Sequence, residues 1–128
     1  GTTDSPEYRA AMLVFYQTHE CRVVRNPEYV MRTWEKNNLQ LYETMRPHLM
    51  EWDIHDRLPQ IAVPTLVTSG RYDECTPMQA ELARDAIPGA EWVLFEESSH
   101  VPHVEEEERY MRVMDDFLSR VEARLADA

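Results

Sequence analysis

The sequence is poor in glycine, cysteine, basic residues and long apolar runs, and each shortage excludes something. Gly1, Gly70 and Gly89 are the only glycines among 128 residues. The same scarcity excludes a Gly-x-Ser-x-Gly nucleophile elbow, whose strained strand-to-helix turn requires small flanking residues. Ser5, Ser69, Ser98, Ser99 and Ser119 all lack that context. Cys21 and Cys75 are too few for a disulfide framework and fit a reducing, cytoplasmic setting. No apolar stretch approaches the roughly 20 residues needed to cross a bilayer, and no basic-then-apolar start resembles a secretion signal. A membrane partner is not expected. Lys and Arg together number 13 against 24 Asp and Glu, a formal charge of −11. That field repels phosphate backbones and argues against a nucleic-acid partner.

What is present reads as one α/β domain. Apolar residues make up 43% of the chain and charged residues 29%, the balance of a globular protein with one core. The chain opens Gly1-Thr2-Thr3-Asp4 rather than with Met, which suits a chain that is processed, tagged or cut from a longer one. Its first half carries helical patterns. Ser5-Pro6-Glu7 places a capping hydroxyl before Pro at the first helical position. Tyr8, Ala11, Met12, Phe15, Tyr16 and His19 then recur on one face. Asn26-Pro27-Glu28 repeats the start signal, with Tyr29, Val30, Thr33 and Trp34 on the following face. Tyr8, Tyr16 and Trp34 are expected to pack this helical region. A third helix is expected from Leu39 to Met45, ending before Pro47.

The second half changes period. Ile61 to Thr68 is a nearly continuous apolar, β-branched run that predicts a strand covered on both faces and ended by Gly70. Thr76-Pro77-Met78-Gln79 predicts a capping box opening a helix to about Ile87. Glu91 to Phe95 predicts a second strand, which makes a βαβ unit with parallel strands and a right-handed crossover. Glu105 to Arg124 predicts a final amphipathic helix with Tyr110, Val113, Met114, Phe117, Leu118, Val121 and Leu125 as its core stripe. The run Glu105 to Glu108 reads as a solvated helix start. Two parallel strands leave two unpaired edges, so further strands are expected upstream of Gly1 or in a partner chain.

In an open α/β sheet, functional groups gather beyond the carboxyl ends of the strands. The segments meeting that condition are Ser69 to Pro77 and Glu96 to His103. They put Asp73 and His100 on one rim, in the chain order acid then His that a Ser…Asp…His triad uses. Asp73 alone reads better as a turn residue that caps the next helix, and His100 alone could be a loop histidine; the strand-end position and the shared rim reverse that in favour of the pair. His100 and His103 have no clear third ligand and Pro102 lies between them, so no metal site and no cofactor are expected. Cys75 reads as a small packed thiol rather than a nucleophile.

Several segments carry a family resemblance. They are Asp4-Ser5-Pro6-Glu7-Tyr8; Phe15-Tyr16-x-x-His19-x-Cys21-Arg22; Trp52-Asp53-Ile54-x-Asp56-Arg57; Val63-Pro64-Thr65-Leu66; Gly70-Arg71-Tyr72-Asp73-Glu74-x-Thr76-Pro77; and Ser99-His100. Together they resemble the C-terminal part of proline iminopeptidases, serine aminopeptidases of the α/β-hydrolase fold. The resemblance implies an α/β fold class with an incomplete sheet. Residues 1–57 would form a helical cap segment and residues 58–128 the C-terminal part of the hydrolase core. It implies Asp73 as triad acid, His100 as general base, and Glu74 as a carboxylate for the substrate's free α-amino group. The nucleophilic serine would lie upstream of residue 1, so this chain alone is expected to be inactive. The implied substrate is a small peptide or amide, and the implied partner is the missing N-terminal part of the fold. The family also carries a second amine-binding Glu in a Gly-Pro-x-Glu-Phe context, which this sequence lacks: only Arg46 to Glu51 separate Met45 from Trp52. Glu20, Glu35 and Glu43 are the acids nearby in sequence. Alternatives are another α/β-hydrolase activity on an ester or amino-acid amide, and a non-catalytic binding module.

Overall fold

The computed structural model describes residues 5–24 and 27–127. The expected capping role of Asn26 and the packing of Trp34 fall outside what is described. Three helices come first: α1 (Pro6–His19), α2 (Glu28–Glu35) and α3 (Leu39–Met50). A 3-10 helix spans His55–Gln60. Then follow β1 (Leu66–Gly70), α4 (Pro77–Ala86), β2 (Glu91–Phe95), α5 (Pro102–Glu105) and α6 (Glu107–Ala126).

The βαβ unit forms as the sequence predicts. The strands β1 and β2 pair in parallel, with Leu66 opposite Glu91 and Gly70 opposite Phe95. Among the described residues the sheet has these two strands alone. Their inward residues make a small core around Phe95, Ile87 and Phe117. Tyr110 of α6 lies against Phe95 with ring centroids 5.6 Å apart. Arg109 covers the same ring and donates from Nη2 to the Leu94 carbonyl at 2.9 Å.

Four features differ from expectation. The strand starts at Leu66 rather than Ile61, because Ile61 closes the 3-10 helix by donating its N–H to the Leu58 carbonyl. Pro64, which lacks an N–H, then separates that turn from the ladder. The strand's end falls at Gly70, as expected. The helix α3 continues through Pro47 to Met50. A proline there removes one intrahelical bond, and the exposed surface leaves the freed Glu43 carbonyl open to solvent. At Thr76 the capping box does not close: the hydroxyl meets the Gln79 side chain at 3.5 Å instead of a backbone N–H. The final helix is broken at Glu106, whose φ of −127° and ψ of 49° are not helical. At that break Glu106 turns its carboxylate to the Ser98 hydroxyl.

Apolar side chains remain widely uncovered. Tyr8 and Tyr16 do not pack into a core; each is 42% exposed. Leu13, Val14, Tyr42 and Leu49 are exposed on α1 and α3, and Leu118 and Leu125 leave the stripe of α6 partly open. Residues on β1 from Leu66 to Thr68 are only half-buried, so the strand is not covered on both faces within this chain.

Candidate active site

The site sits just beyond the carboxyl ends of β1 and β2. Gly70 brings the two loops together. A Cβ at that position would collide with the backbone carbonyl oxygens of Ser98 and Ser99, so glycine is required by close approach. The contact is secured by Tyr72 N–H donating to the Ser98 carbonyl at 3.0 Å and Arg71 N–H to the Phe95 carbonyl at 2.9 Å. Arg71 also holds Glu96 through a two-pronged ion pair, both arms at 2.8 Å.

On that frame Asp73 and His100 meet. The His100 ring Nδ1 lies 2.9 Å from Asp73 Oδ1. An ionised carboxylate only accepts, so Nδ1–H is the donor and Nε2 is left facing away with its lone pair. The Asp73 side chain is 8% exposed and that of His100 is 48% exposed. Oδ1 of Asp73 also accepts from the Cys75 N–H at 2.8 Å. Burial pushes the imidazole pKa down, but the Asp73 hydrogen bond and the charges of Asp73, Glu74 and Glu20 outweigh it. The net shift is upward from the ordinary 6.5. The site therefore favours the imidazolium that forms when His100 accepts a proton.

Glu74 is exposed beside this pair. Glu20, the residue that ends α1, is also close. Its pKa is raised, first by burial and then by the Glu74 charge, with His100 acting in the opposite sense. Of the three acids the sequence left open, Glu35 and Glu43 are exposed on α2 and α3, and Glu20 is the one brought within electrostatic reach of His100.

Glu20 is placed there by its neighbours. His19 Nδ1 lies 2.6 Å from the Tyr72 carbonyl. The Arg22 guanidinium sits over the Tyr72 ring, 3.7 Å from its centre. Segment 19–22 thus lies against the loop that carries Asp73 and Glu74.

Asp73, Cys75 and His100 offer ligand atoms within 4.8 Å of one another. Cys75 is exposed rather than packed; partial desolvation and then the charges of Asp73 and Glu74 still raise its thiol pKa, which disfavours the thiolate that a metal or a nucleophilic role would need. The facing atoms of Asp73 and His100 already satisfy each other. His103 is turned away against Tyr110, 5.8 Å between ring centres.

Two residues of this site were invisible as such in the sequence. Glu105 and Glu106 are not a solvated helix start. Ser98 and Ser99 are fully buried. Glu106 Oε2 accepts from the Ser98 hydroxyl at 2.6 Å and the Glu97 N–H at 3.1 Å. Glu105 accepts from both the hydroxyl and the N–H of Ser99, at 2.7 and 2.8 Å. Only the serines, unremarkable before a His, hinted that acceptors were needed.

Comparison with known proteins bears on the fold and the family. No protein-family model matches the chain. A proline iminopeptidase of Saccharolobus solfataricus is 38% identical over 130 residues, covering 94% of this chain and 42% of that protein. The crystal structure of a Mycobacterium smegmatis proline iminopeptidase superposes with a TM-score of 0.82 at 28% identity, covering 98% of this chain and 45% of that one. That of a protein named VinJ gives 0.76 at 36% identity, covering 94% and 44%. The chain thus spans less than half the length of these relatives. The fold is that of the C-terminal portion of an α/β hydrolase, with its helical segment and last βαβ unit. Within that class the chain corresponds to the C-terminal part of the proline iminopeptidase family.

Proposed function

We propose that this chain supplies the acid and the base of a serine aminopeptidase, with residues 1–57 as helical cap segment and residues 58–128 as the end of the core. The observation that carries this reading is the Asp73–His100 hydrogen bond at the strand ends, 2.9 Å long with its acid nearly buried. A serine borne by the rest of the fold attacks the substrate carbonyl. Nε2 of His100 takes the serine proton as the C–O bond forms and delivers it to the departing amine as the C–N bond breaks. The acyl-enzyme is then hydrolysed by water activated at the same nitrogen. Backbone N–H groups outside this chain hold the oxyanion. Asp73 fixes the tautomer and stabilises the imidazolium.

Glu74, with Glu20 beside it, supplies negative charge for the substrate's α-ammonium group, which sets cleavage one residue from the N-terminus. The substrate is a small peptide or amide with a free N-terminal residue, proline among them. The compartment proposed is the cytoplasm. No described helix is long and apolar enough to cross a membrane.

The test compares aminoacyl and prolyl anilides with and without an acetylated α-amine, using the intact protein. Only the free amines should be cleaved. Glu74→Gln should raise KM about 10- to 100-fold, the worth of one charge-assisted hydrogen bond. Equal cleavage of the acetylated substrates would remove the aminopeptidase reading.

A further inference from the structure

Glu105 holds more partners than any helix-start carboxylate requires. Its Oε2 accepts the N–H of Ser99 at 2.8 Å and the N–H of Val101 at 3.3 Å, the residues directly before and after His100. Its Oε1 accepts the Ser99 hydroxyl at 2.7 Å and the Arg22 N–H at 2.7 Å. The carboxylate is itself only partly accessible. One oxygen therefore brackets the His100 backbone, and the other ties that bracket to the segment following α1. The same segment reaches the Asp73 loop through His19 and through Arg22 stacked on Tyr72.

The cost of this arrangement is visible in the fold. The helix that the sequence predicts from Glu105 onward is interrupted at Glu106, and α5 is a separate four-residue turn. Glu105, the last residue of α5, reaches back to Ser99, and Glu106, at the break, reaches Ser98.

We propose that Glu105 is a positioning residue for His100. It fixes the backbone on both sides of the imidazole and locks the His100 loop to the helical segment at Arg22. The proposal rests on the reading of His100 as the base. Its consequence is that the Asp73–His100 contact depends on Glu105 although Glu105 bonds to neither side chain. Displacements of about 1 Å at a reacting group can cost about 100-fold in rate.

Two variants separate the two links. Glu105→Ala removes all four bonds. In Glu105→Gln the amide oxygen can still accept from Ser99 and Val101, while its NH2 then opposes the Arg22 N–H, so the bracket survives and the tie to Arg22 is lost.

The experiment measures kcat, KM and the pH dependence of kcat/KM in the intact protein, per folded enzyme counted by circular dichroism, alongside His100→Ala. Expected for Glu105→Ala is a kcat loss of about 100-fold with little change in KM. Its acid limb should move to lower pH, because a loosened Asp73 contact no longer holds the His100 pKa up. Glu105→Gln should show the same changes to a smaller degree, and it carries the test alone if the alanine variant does not fold. A purely structural role would lower the folded fraction and leave the acid limb in place. An unmoved acid limb with kcat within twofold of the parent, while His100→Ala is inactive, overturns the role of Glu105 and spares the base assignment. Full activity in His100→Ala overturns the underlying reading instead.

Discussion

Replacing Asp73 by Asn separates charge from tautomer control in a way particular to this site. Asp73 Oδ1 receives two donors, His100 Nδ1–H and the Cys75 backbone N–H. An asparagine that presented NH2 there would face two N–H groups at once, so its carbonyl oxygen must take that place. The imidazole tautomer should therefore survive, and only the negative charge is lost. A unit charge about 4 Å from another is worth about 4 kcal/mol at an effective dielectric of about 20. The His100 side chain is 48% exposed, so solvent screening cuts this to roughly half, about 2 kcal/mol. At about 1.4 kcal/mol per tenfold, kcat/KM of the intact protein should fall about 30-fold. Asp73→Ala loses the tautomer as well and should fall towards about 10⁴-fold. Steady-state kinetics on a free-amine anilide read both values. The acid limb of kcat/KM should also shift to lower pH in Asp73→Asn, because the group raising the imidazole pKa has lost its charge. A loss near 10⁴-fold in Asp73→Asn would refute the shared-oxygen geometry, and no loss would remove Asp73 from the site.

Three further outcomes are expected. Gly70→Ala should destabilise the fold by about 1–3 kcal/mol, since its Cβ meets backbone carbonyls rather than a side chain that can turn away; chemical denaturation measures it. Alkylation of Cys75 by iodoacetamide at neutral pH should run slower than that of a free thiol, because burial and two carboxylates oppose the thiolate; a rate equal to glutathione's would contradict this. The raised pKa of His100 gives a stability contribution complete below 6.5 and lost as pH rises through the raised folded value, so the thermal midpoint should decline across that window. His100→Gln should flatten that slope, and an unchanged slope would argue against the shift.

The parts of this molecule that were legible in the sequence are those governed by local chemistry. The strand Glu91 to Phe95, the Ser5-Pro6 helix start and the βαβ order follow from period and punctuation, and the structure places them as expected. The pairing of Asp73 with His100 followed from topology, because parallel neighbours put their carboxyl ends on one rim. The roles of Glu105 and Glu106 did not, since four consecutive glutamates look like a charged helix start whatever they bond. Their acceptors matter only once Gly70 has pressed the loops together, and that contact links residues far apart in sequence. Tyr8 and Tyr16 stay partly exposed within this chain, because a helical stripe tells that a face is apolar, not which surface covers it. Glu20 could not be chosen over Glu35 and Glu43 by spacing, because its place is set by His19 reaching the Tyr72 carbonyl.

The most direct trial of the account is fluorophosphonate labelling of the intact protein followed by mass-spectrometric mapping of the adduct. One modified serine is expected, lying outside residues 1–128, with labelling abolished by His100→Ala. An adduct on Ser69, Ser98 or Ser99, or undiminished labelling without the imidazole, would contradict it.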